Sequence, residues 1–549
     1  MAFFHDLAQD ASARPTFVIA WTGITLLASH FIYRFCRHRQ SYNGKRGPPH
    51  SFVLGHLKVL GEVASTMPPN MHPQAIYTEI ARKYNLDGIF YLDLWPVADP
   101  QVVLTDPNLL DQVSIFKPLP IHPMAEDFMA RIIGPNVIAT ANGALWKKLH
   151  NSISPAFSWS NIRGLTATIV EECTLFRRAL DEYAKTGQVF SMEDSSARLI
   201  FDVIARTVFD FRLYAQSKGS PYLDDFKDLI KLAESNTDFS LAFNPVAQTK
   251  LWFKRRRINA RLDASILSQI QERIEHLIAE GKVPSRTSWN SILDLMLREH
   301  IQNHQKETPG IASSPLDTIE TKILVTNVKA MLLGGHGTTT DTLCYIYLLL
   351  SKSPEVVDKL IQEHQTVFGL EFDATVEMLQ NAPELLQELP YTEAVIKETL
   401  RLFPVGFGVR EAAHGAILEY QGNVFPIDNQ AIVLNGHDLH YNANFFHDPT
   451  KFLPERWIDS DNTIPRSYFR TFGRGPRACL GMNLAQNELK IILLMTIRDY
   501  DFVYADQIPN ATARTSFTNL DTLFGDVVFQ ELAMEAKPRG GMMMKVQKR

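Results

Sequence analysis

Apolar residues along this chain recur mostly at helical spacing. In residues 266–281, ILSQIQERIEHLIAEG, they fall at three- and four-residue steps and stop at Gly281, the pattern of an amphipathic helix closed by glycine. Residues 353–369, SPEVVDKLIQEHQTVFG, open on Ser-Pro-Glu and also end on glycine, a helix start and stop. The longest apolar helical stretch lies between about 317 and 351. Runs of strand character are shorter: GIFYLDLW, PQVVLTD and QAIVLNGH. The pattern predicts a mainly α protein with a small β part. Residues 303–314, NHQKETPGIASS, are polar around a Pro-Gly turn and read as a surface loop. No internal repeat appears, and no linker long enough to separate domains after residue 51.

The amino terminus breaks this pattern. Residues 16–35, TFVIAWTGITLLASHFIYRF, form an apolar run close to the roughly 20 residues that cross a bilayer. Aromatics cluster at its far end, and Arg34, Arg37, Arg39, Lys45 and Arg46 follow it, whereas Asp6, Asp10 and only Arg14 precede it. Basic residues after the span place the body on the cytoplasmic side. A cleaved signal peptide would need a basic segment first and a small-residue cleavage site afterwards, and both are poor here. The expectation is a lumenal segment 1–14, a transmembrane anchor 15–35, a basic, proline-rich linker 36–50 and a body over 51–549.

Composition narrows the class. The 549 residues are 45% hydrophobic and 21% charged, ordinary for a large globular core. A net charge of −5 argues against a nucleic-acid partner. The four cysteines, Cys36, Cys173, Cys344 and Cys479, are widely spaced, which argues against a disulfide framework.

Three segments carry candidate chemistry. In AMLLGGHGTTTDTLCYIYLLL, Gly334, Gly335 and Gly337 interrupt the long helical pattern. Each glycine costs a helix interior about 1 kcal/mol relative to alanine. Either tight helix packing or close approach by another body must compensate. In AVIKETLRLFP, Glu398 and Arg401 stand three apart on one helix face amid apolar bulk. Such a pair needs further hydrogen bonds, and Arg456 in FLPERW is a candidate third member. In FGRGPRACLG, Gly473, Gly475 and Gly481 allow positive φ and close approach by a ligand plane, and Pro476 stiffens the turn. Cys479 precedes an apolar helical run, where N–H groups and the helix dipole favour a thiolate. Such a thiolate serves as nucleophile, redox switch or metal ligand. The loop lacks a protease-type signature and nearby zinc ligands, whereas a haem iron takes a single axial thiolate. Arg477 stands ready for an anionic cofactor edge.

Together these segments resemble the cytochrome P450 superfamily of haem-thiolate monooxygenases. FGRGPRACLG is similar to its cysteine loop, ETLR to its Glu-x-x-Arg helix, FLPERW to the segment completing the ion-pair frame, and GGHGTT to the threonine-bearing stretch of its long distal helix. The resemblance covers nearly the whole chain and merges the body into one catalytic domain. It implies haem b with Cys479 as axial ligand and Phe472, Gly473, Gly481 and Arg477 around it. Trp146, with His150 where the family has arginine, and Arg410 would meet the propionates. Glu398, Arg401 and Arg456 would form the structural frame.

The resemblance also implies Thr338 as the distal hydroxyl. The family's acidic residue before it falls at Gly337 here, so protons are expected through Thr338 and ordered water, with Asp341 or His336 behind; the rival is a distal site tuned for chemistry less dependent on that relay. The segment 116–128 and residues 407–409 should line a lipophilic pocket. The implied setting is a single-pass protein of the endoplasmic reticulum membrane, in contact with lipid. Electrons would come from NADPH through a separate cytochrome P450 reductase, with cytochrome b5 as a second donor. About 70 residues follow Cys479, too few for flavin domains. The expected reaction is hydroxylation, epoxidation or desaturation of a lipophilic small molecule, and the style of the chain resembles fungal secondary-metabolism members. A haem-thiolate isomerase or dehydratase needing no reductase, and a non-catalytic haem sensor, are the alternatives.

Overall fold

The computed structural model describes residues 15–234, 244–285, 290–307, 317–459 and 463–549. The fold is mainly helical with a small β part, arranged around the helix Thr318–Leu350. Asp317 caps that helix, its carboxylate accepting from the Ile319 N–H at 3.3 Å. From Leu324 onward nearly every residue is buried, so this is a core helix apolar on all sides rather than an amphipathic one.

Its three glycines do not break it, and each has a different reason. At Gly335 a Cβ would lie 2.5 Å from Ile204 Cγ1, so the glycine lets the helix Met192–Phe209 pack against its backbone. At Gly334 a Cβ would meet nothing within 4 Å. At Gly337 the obstacle is the carboxylate of Glu535.

Two further helices set the floor of the core. Pro390–Leu402 joins the central helix through Tyr345 and Phe403, whose rings stack at 4.0 Å. Met482–Thr496 is tied to it where the Tyr347 hydroxyl meets Thr496 Oγ1 at 2.7 Å. The helix Pro354–Phe368 ends at Gly369 with φ +72°. The segment 266–281 belongs to a longer helix, Pro245–Ala279. The expected loop over 303–314 begins as helix, in Ile292–Glu307, and its remainder lies outside the described residues.

The three strand-like runs join one sheet. Ile89–Leu92 pairs antiparallel with Gln101–Leu104, which pairs parallel with Ala431–Leu434. The fourth strand, Gly408–Glu411, lies antiparallel to Ala431–Leu434 and sets Arg410 beside Ile432. It escaped the sequence reading because it is short and opens on glycine.

At the amino terminus the helix Pro15–Gln40 runs past the expected end of the anchor at residue 35. No helix among the described residues is long and apolar enough to cross a membrane. The last turn docks on the body instead of leading into a free linker. Asp93 is buried there between Arg39, His38 Nε2 and His50 Nε2, the two imidazoles at 2.9 Å. Arg39 also donates to the carbonyls of Trp95 and Val53 at 2.7 and 3.2 Å. Burial opposes the Asp93 charge, yet these donors hold its carboxyl below the usual range.

The packing of the central helix gives a direct test. Gly335→Ala should destabilise the protein by about 1–3 kcal/mol through overpacking on Ile204. Gly334→Ala should leave it unchanged or stabilise it by up to about 1 kcal/mol. Thermal unfolding midpoints of the two variants check the contrast.

Candidate active site

The cysteine loop is shaped by its glycines. Gly473 and Gly475 take φ of +66° and +78°, a region that only glycine enters without strain. A Cβ at Gly475 would strike the Ser114 carbonyl, so the loop can sit on the segment before it only with glycine there. Gly481 departs from the expectation: its φ is −80°, and a Cβ would meet only ordinary contacts. The Cys479 N–H donates to the Phe472 carbonyl at 2.8 Å, closing the loop. Gly481 then caps the helix Met482–Thr496. The N–H groups of Gly481 and Met482 point at the sulfur and lower the thiol's pKa, but burial outweighs them and raises it.

Cys479 faces a cavity of about 590 Å³. The opposite wall is the central helix at Ala330, Met331, Gly334 and Thr338. Thr338 Oγ1 donates to the Gly334 carbonyl at 3.1 Å. Phe407 and Met534 close another side. Within the expected segment 116–128, only Ile121 is among the lining residues. Phe116 turns outward, 73% exposed, and Phe128 is also at the surface.

Four arginines line this cavity: Arg410, Arg470, Arg474 and Arg477. Arg470 and Arg474 share one counter-charge, Asp111, each at 2.8 Å. Arg477 donates to the Ala141 carbonyl at 2.6 Å and to Asn142 Oδ1 at 2.9 Å, and lies 4.3 Å over the Trp146 ring. Among the described residues the Arg410 side chain bonds its neighbour's carbonyl alone, that of Val409, at 3.3 Å. Neither Arg410 nor Arg477 has a carboxylate partner among the described residues. Burial, and then the charge of Arg477, lowers the Arg410 guanidinium to about 10. Two uncompensated cations on one rim form a site for an anion. His150 stands beside Trp146, ring centroids 4.9 Å apart, and also lines the cavity.

The two residues expected behind Thr338, His336 and Asp341, do not line the cavity. His336 packs edge-on against Phe201 at 5.5 Å, and its Nδ1 lies 3.0 Å from the Leu332 carbonyl. Burial lowers its imidazole to about 4, so near pH 7 it packs there as a neutral ring. Asp341 is buried one turn beyond Gly337 and does not line the cavity.

Beneath the loop, Glu398, Arg401 and Arg456 come together. Arg401 grips Glu398 with two hydrogen bonds, Nε to Oε2 at 2.9 Å and Nη2 to Oε1 at 2.8 Å. Arg456 Nε donates to Oε1 at 3.1 Å. Two donors went unseen in the sequence: Trp457 Nε1 at 2.9 Å and the Leu453 N–H at 3.0 Å. Burial opposes the Glu398 charge, but Arg401 and Arg456 hold its carboxyl below the usual range. A second unforeseen residue is Glu488, buried at the edge of the cavity with Oε1 unpartnered and its carboxyl raised by burial to about 8. Two helical turns past the cysteine loop in an apolar run, it carries no local signal that its face turns inward.

The family model of cytochrome P450 matches residues 46–523. This chain belongs to the cytochrome P450 family. It is 30% identical over 514 residues to the cytochrome P450 monooxygenase acrF of Aspergillus aculeatus, covering 88% of this chain and 99% of that protein. The cytochrome P450 monooxygenase polC of Polytolypa hystricis is 28% identical, covering 87% of this chain and 85% of its own. The crystal structure of the cytochrome P450DA heme domain superposes with a TM-score of 0.70 at 19% identity, over 92% of this chain and 97% of that one. The P450 fold is thus shared across nearly the whole length. The enzyme class is that of an oxidoreductase of the monooxygenase type.

The family implies haem, and the cavity fits it. Its walls are largely apolar, a sulfur faces in from one side, and two uncompensated arginines stand where carboxylates would be held. The ion-pair frame yields a test. Glu398→Gln should cost about 3–5 kcal/mol by leaving Arg401 buried without its counter-charge. Because the Glu398 carboxyl is lowered in the folded state, its stabilisation is present above the unfolded value of about 4.3 and is lost as pH falls through the folded one. Unfolding midpoints measured from pH 7 downward should fall for the parent and stay flatter for the variant.

Proposed function

We propose that this P450 holds haem b on Cys479 and oxygenates a lipophilic small molecule, by hydroxylation, epoxidation or desaturation. The carrying observation is the cavity itself: the Cys479 sulfur on one wall, Thr338 on the other, and the Arg410–Arg477 pair at the rim. Haem ligated by thiolate supplies oxygen activation, the thiolate pushing electron density that favours O–O cleavage. The remaining work falls to the chain. Arg410 and Arg477 would hold the propionates, with Trp146 fixing the Arg477 plane by stacking. The Gly334 gap lets a flat group approach the helix. Thr338 Oγ1, already donating to Gly334, offers its lone pairs to a proton on the cavity side. Phe407, Ile121, Met331 and Met534 exclude water and favour an apolar substrate.

Electrons would come from NADPH through a membrane-bound cytochrome P450 reductase docking on basic residues of the cysteine-loop face, with cytochrome b5 as an auxiliary donor. The exposed Trp21, Ile24, Leu27, Phe31 and Ile32 support a lipid-facing role for the helix Pro15–Gln40. The likeness to microsomal members of the family supports a single-pass anchor in the endoplasmic reticulum, and the basic residues after the helix support a cytoplasmic catalytic domain. Fungal relatives named as monooxygenases support a place in secondary-metabolite biosynthesis.

Reduction under carbon monoxide should give the red-shifted thiolate-type Soret band. Cys479→Ser should lose that band; its survival in the variant, or its absence in the parent, refutes the assignment. Turnover that needs both reductase and NADPH distinguishes a monooxygenase from an isomerase or a haem sensor.

A further inference from the structure

The central helix carries glycine at 337, immediately before Thr338, and that position is not left apolar. A Cβ placed there would lie 3.0 Å from Glu535 Cδ, with Oε1 closer still. A carboxylate from a distant part of the chain thus occupies the side-chain space of residue 337. Glu535 stands in the turn between the strands Glu531–Leu532 and Ala536–Lys537. The turn is held on several sides. The Ala533 N–H donates to the Glu535 carbonyl at 3.1 Å, the Ala536 N–H to Val405 at 2.9 Å, and the Leu532 N–H to Asn70 at 2.9 Å. Gln530 Nε2 reaches the Ala536 carbonyl at 2.9 Å. Its neighbour Met534 lines the cavity, so the turn sends one residue to the pocket and the next to the back of the helical wall.

A second carboxyl waits one turn further along. Asp341 is 3% exposed, and its Oδ2 has no hydrogen-bond partner among the described residues. The groups facing this pair come from three elements. Glu193 contributes a half-buried carboxyl from the helix Met192–Phe209, and Lys537 a cation from the hairpin. Cys344 and Tyr345 follow on the central helix, and Lys227 lies near Glu193. Burial first, then Glu535 and Glu193, push the Asp341 carboxyl well above its usual value, against the pull of Lys537. Two carboxyls buried behind one wall do not both ionise cheaply.

We propose that Glu535 serves as the acidic side chain of position 337, and that with Asp341 it forms a proton-holding pair behind Thr338. The proton moves from one carboxyl O–H to the facing carboxylate and on toward the wall at Thr338. The emptied carboxylate is refilled from solvent through half-buried Glu193, so each transfer is charge-neutral overall. Glu535 acts as a positioning residue, and its function rests on the monooxygenase reading above. Gly337 is then required because its partner needs the space.

A reciprocal substitution cycle on the full-length holoenzyme tests this. Gly337→Asp alone should lower the unfolding midpoint, since it forces a third carboxylate against Glu535. Adding Glu535→Ala should recover most of the loss and restore an acid at the helix. Infrared spectra near pH 7 should show a protonated-carboxyl band that Glu535→Gln and Asp341→Asn each remove or shift. Because the Asp341 carboxyl is raised in the folded state, its own contribution to stability is present below about 4 and is lost as pH rises toward the folded value, so the midpoint difference between parent and Asp341→Asn should shift in favour of the variant as pH rises above about 4.

With reductase, NADPH and no added substrate, Glu535→Gln should release several-fold more hydrogen peroxide per NADPH consumed. Gly337→Asp/Glu535→Ala should return toward the parental ratio. An additive cycle without rescue, or an unchanged infrared band together with an unchanged peroxide ratio in Glu535→Gln, overturns the proposal. Failure of the monooxygenase reading appears separately, as absence of reductase-dependent NADPH oxidation in the unsubstituted protein.

Discussion

The site depends on one buried carboxylate. Glu398 collects donors from Arg401, Arg456, Trp457 and the Leu453 backbone, and Arg401 spends its remaining donors on the carbonyls of His440, Pro449 and Lys451. A helix is thereby stapled to a long irregular segment with almost no regular structure of its own. The staple reaches the cysteine loop in two ways. His440 Nε2 accepts from the Arg470 N–H at 3.0 Å, and Thr471 Oγ1 donates to the Leu400 carbonyl at 3.0 Å. Arg470 in turn clasps Asp111. An ion pair in so apolar a place adds little net stability over well-packed hydrophobic residues. What it supplies is position: the loop carrying Cys479 follows directly from a network with few alternative arrangements.

Across the cavity the controlling element is the long helix, and its three glycines divide the labour. Gly335 brings the neighbouring helix close, Gly334 leaves room on the cavity side, and Gly337 admits a carboxylate from the carboxy-terminal hairpin. The hydrogen bonds between Tyr347 and Thr496, and the stacking of Tyr345 on Phe403, lock this helix to the elements beneath the loop. The separation of the two cavity walls is thus set by core packing away from the chemistry, where close-packed side chains tolerate little movement.

Much of this was legible in local pattern. Three strand-like runs do join one sheet, and the helix starts and stops at 353 and 369 coincide with the ends of Pro354–Phe368. Misreadings arose where direction mattered. His336 sits within the conspicuous glycine-threonine stretch, yet the helical period turns it toward Phe201 and away from the cavity. Phe116 and Phe128 are apolar enough to line a pocket but face outward. Gly481 takes φ −80° and makes no use of the positive φ that glycine allows. Glu535 and Glu488 carry no local signal at all, because a carboxyl in a short hairpin or an apolar helix reads as a solvated surface group until its neighbours are known.

By itself, then, the sequence determined the family, the mainly helical class, the cysteine loop and the members of the ion-pair frame. These rest on spacing within short segments and on residue types with few substitutes. Tertiary structure alone decided which arginines are left without a counter-charge, which glycine serves which neighbour, and that the carboxylate beside Thr338 comes from Glu535. Those outcomes depend on contacts between segments hundreds of residues apart, whose geometry is set by packing and desolvation and has no local trace in the chain.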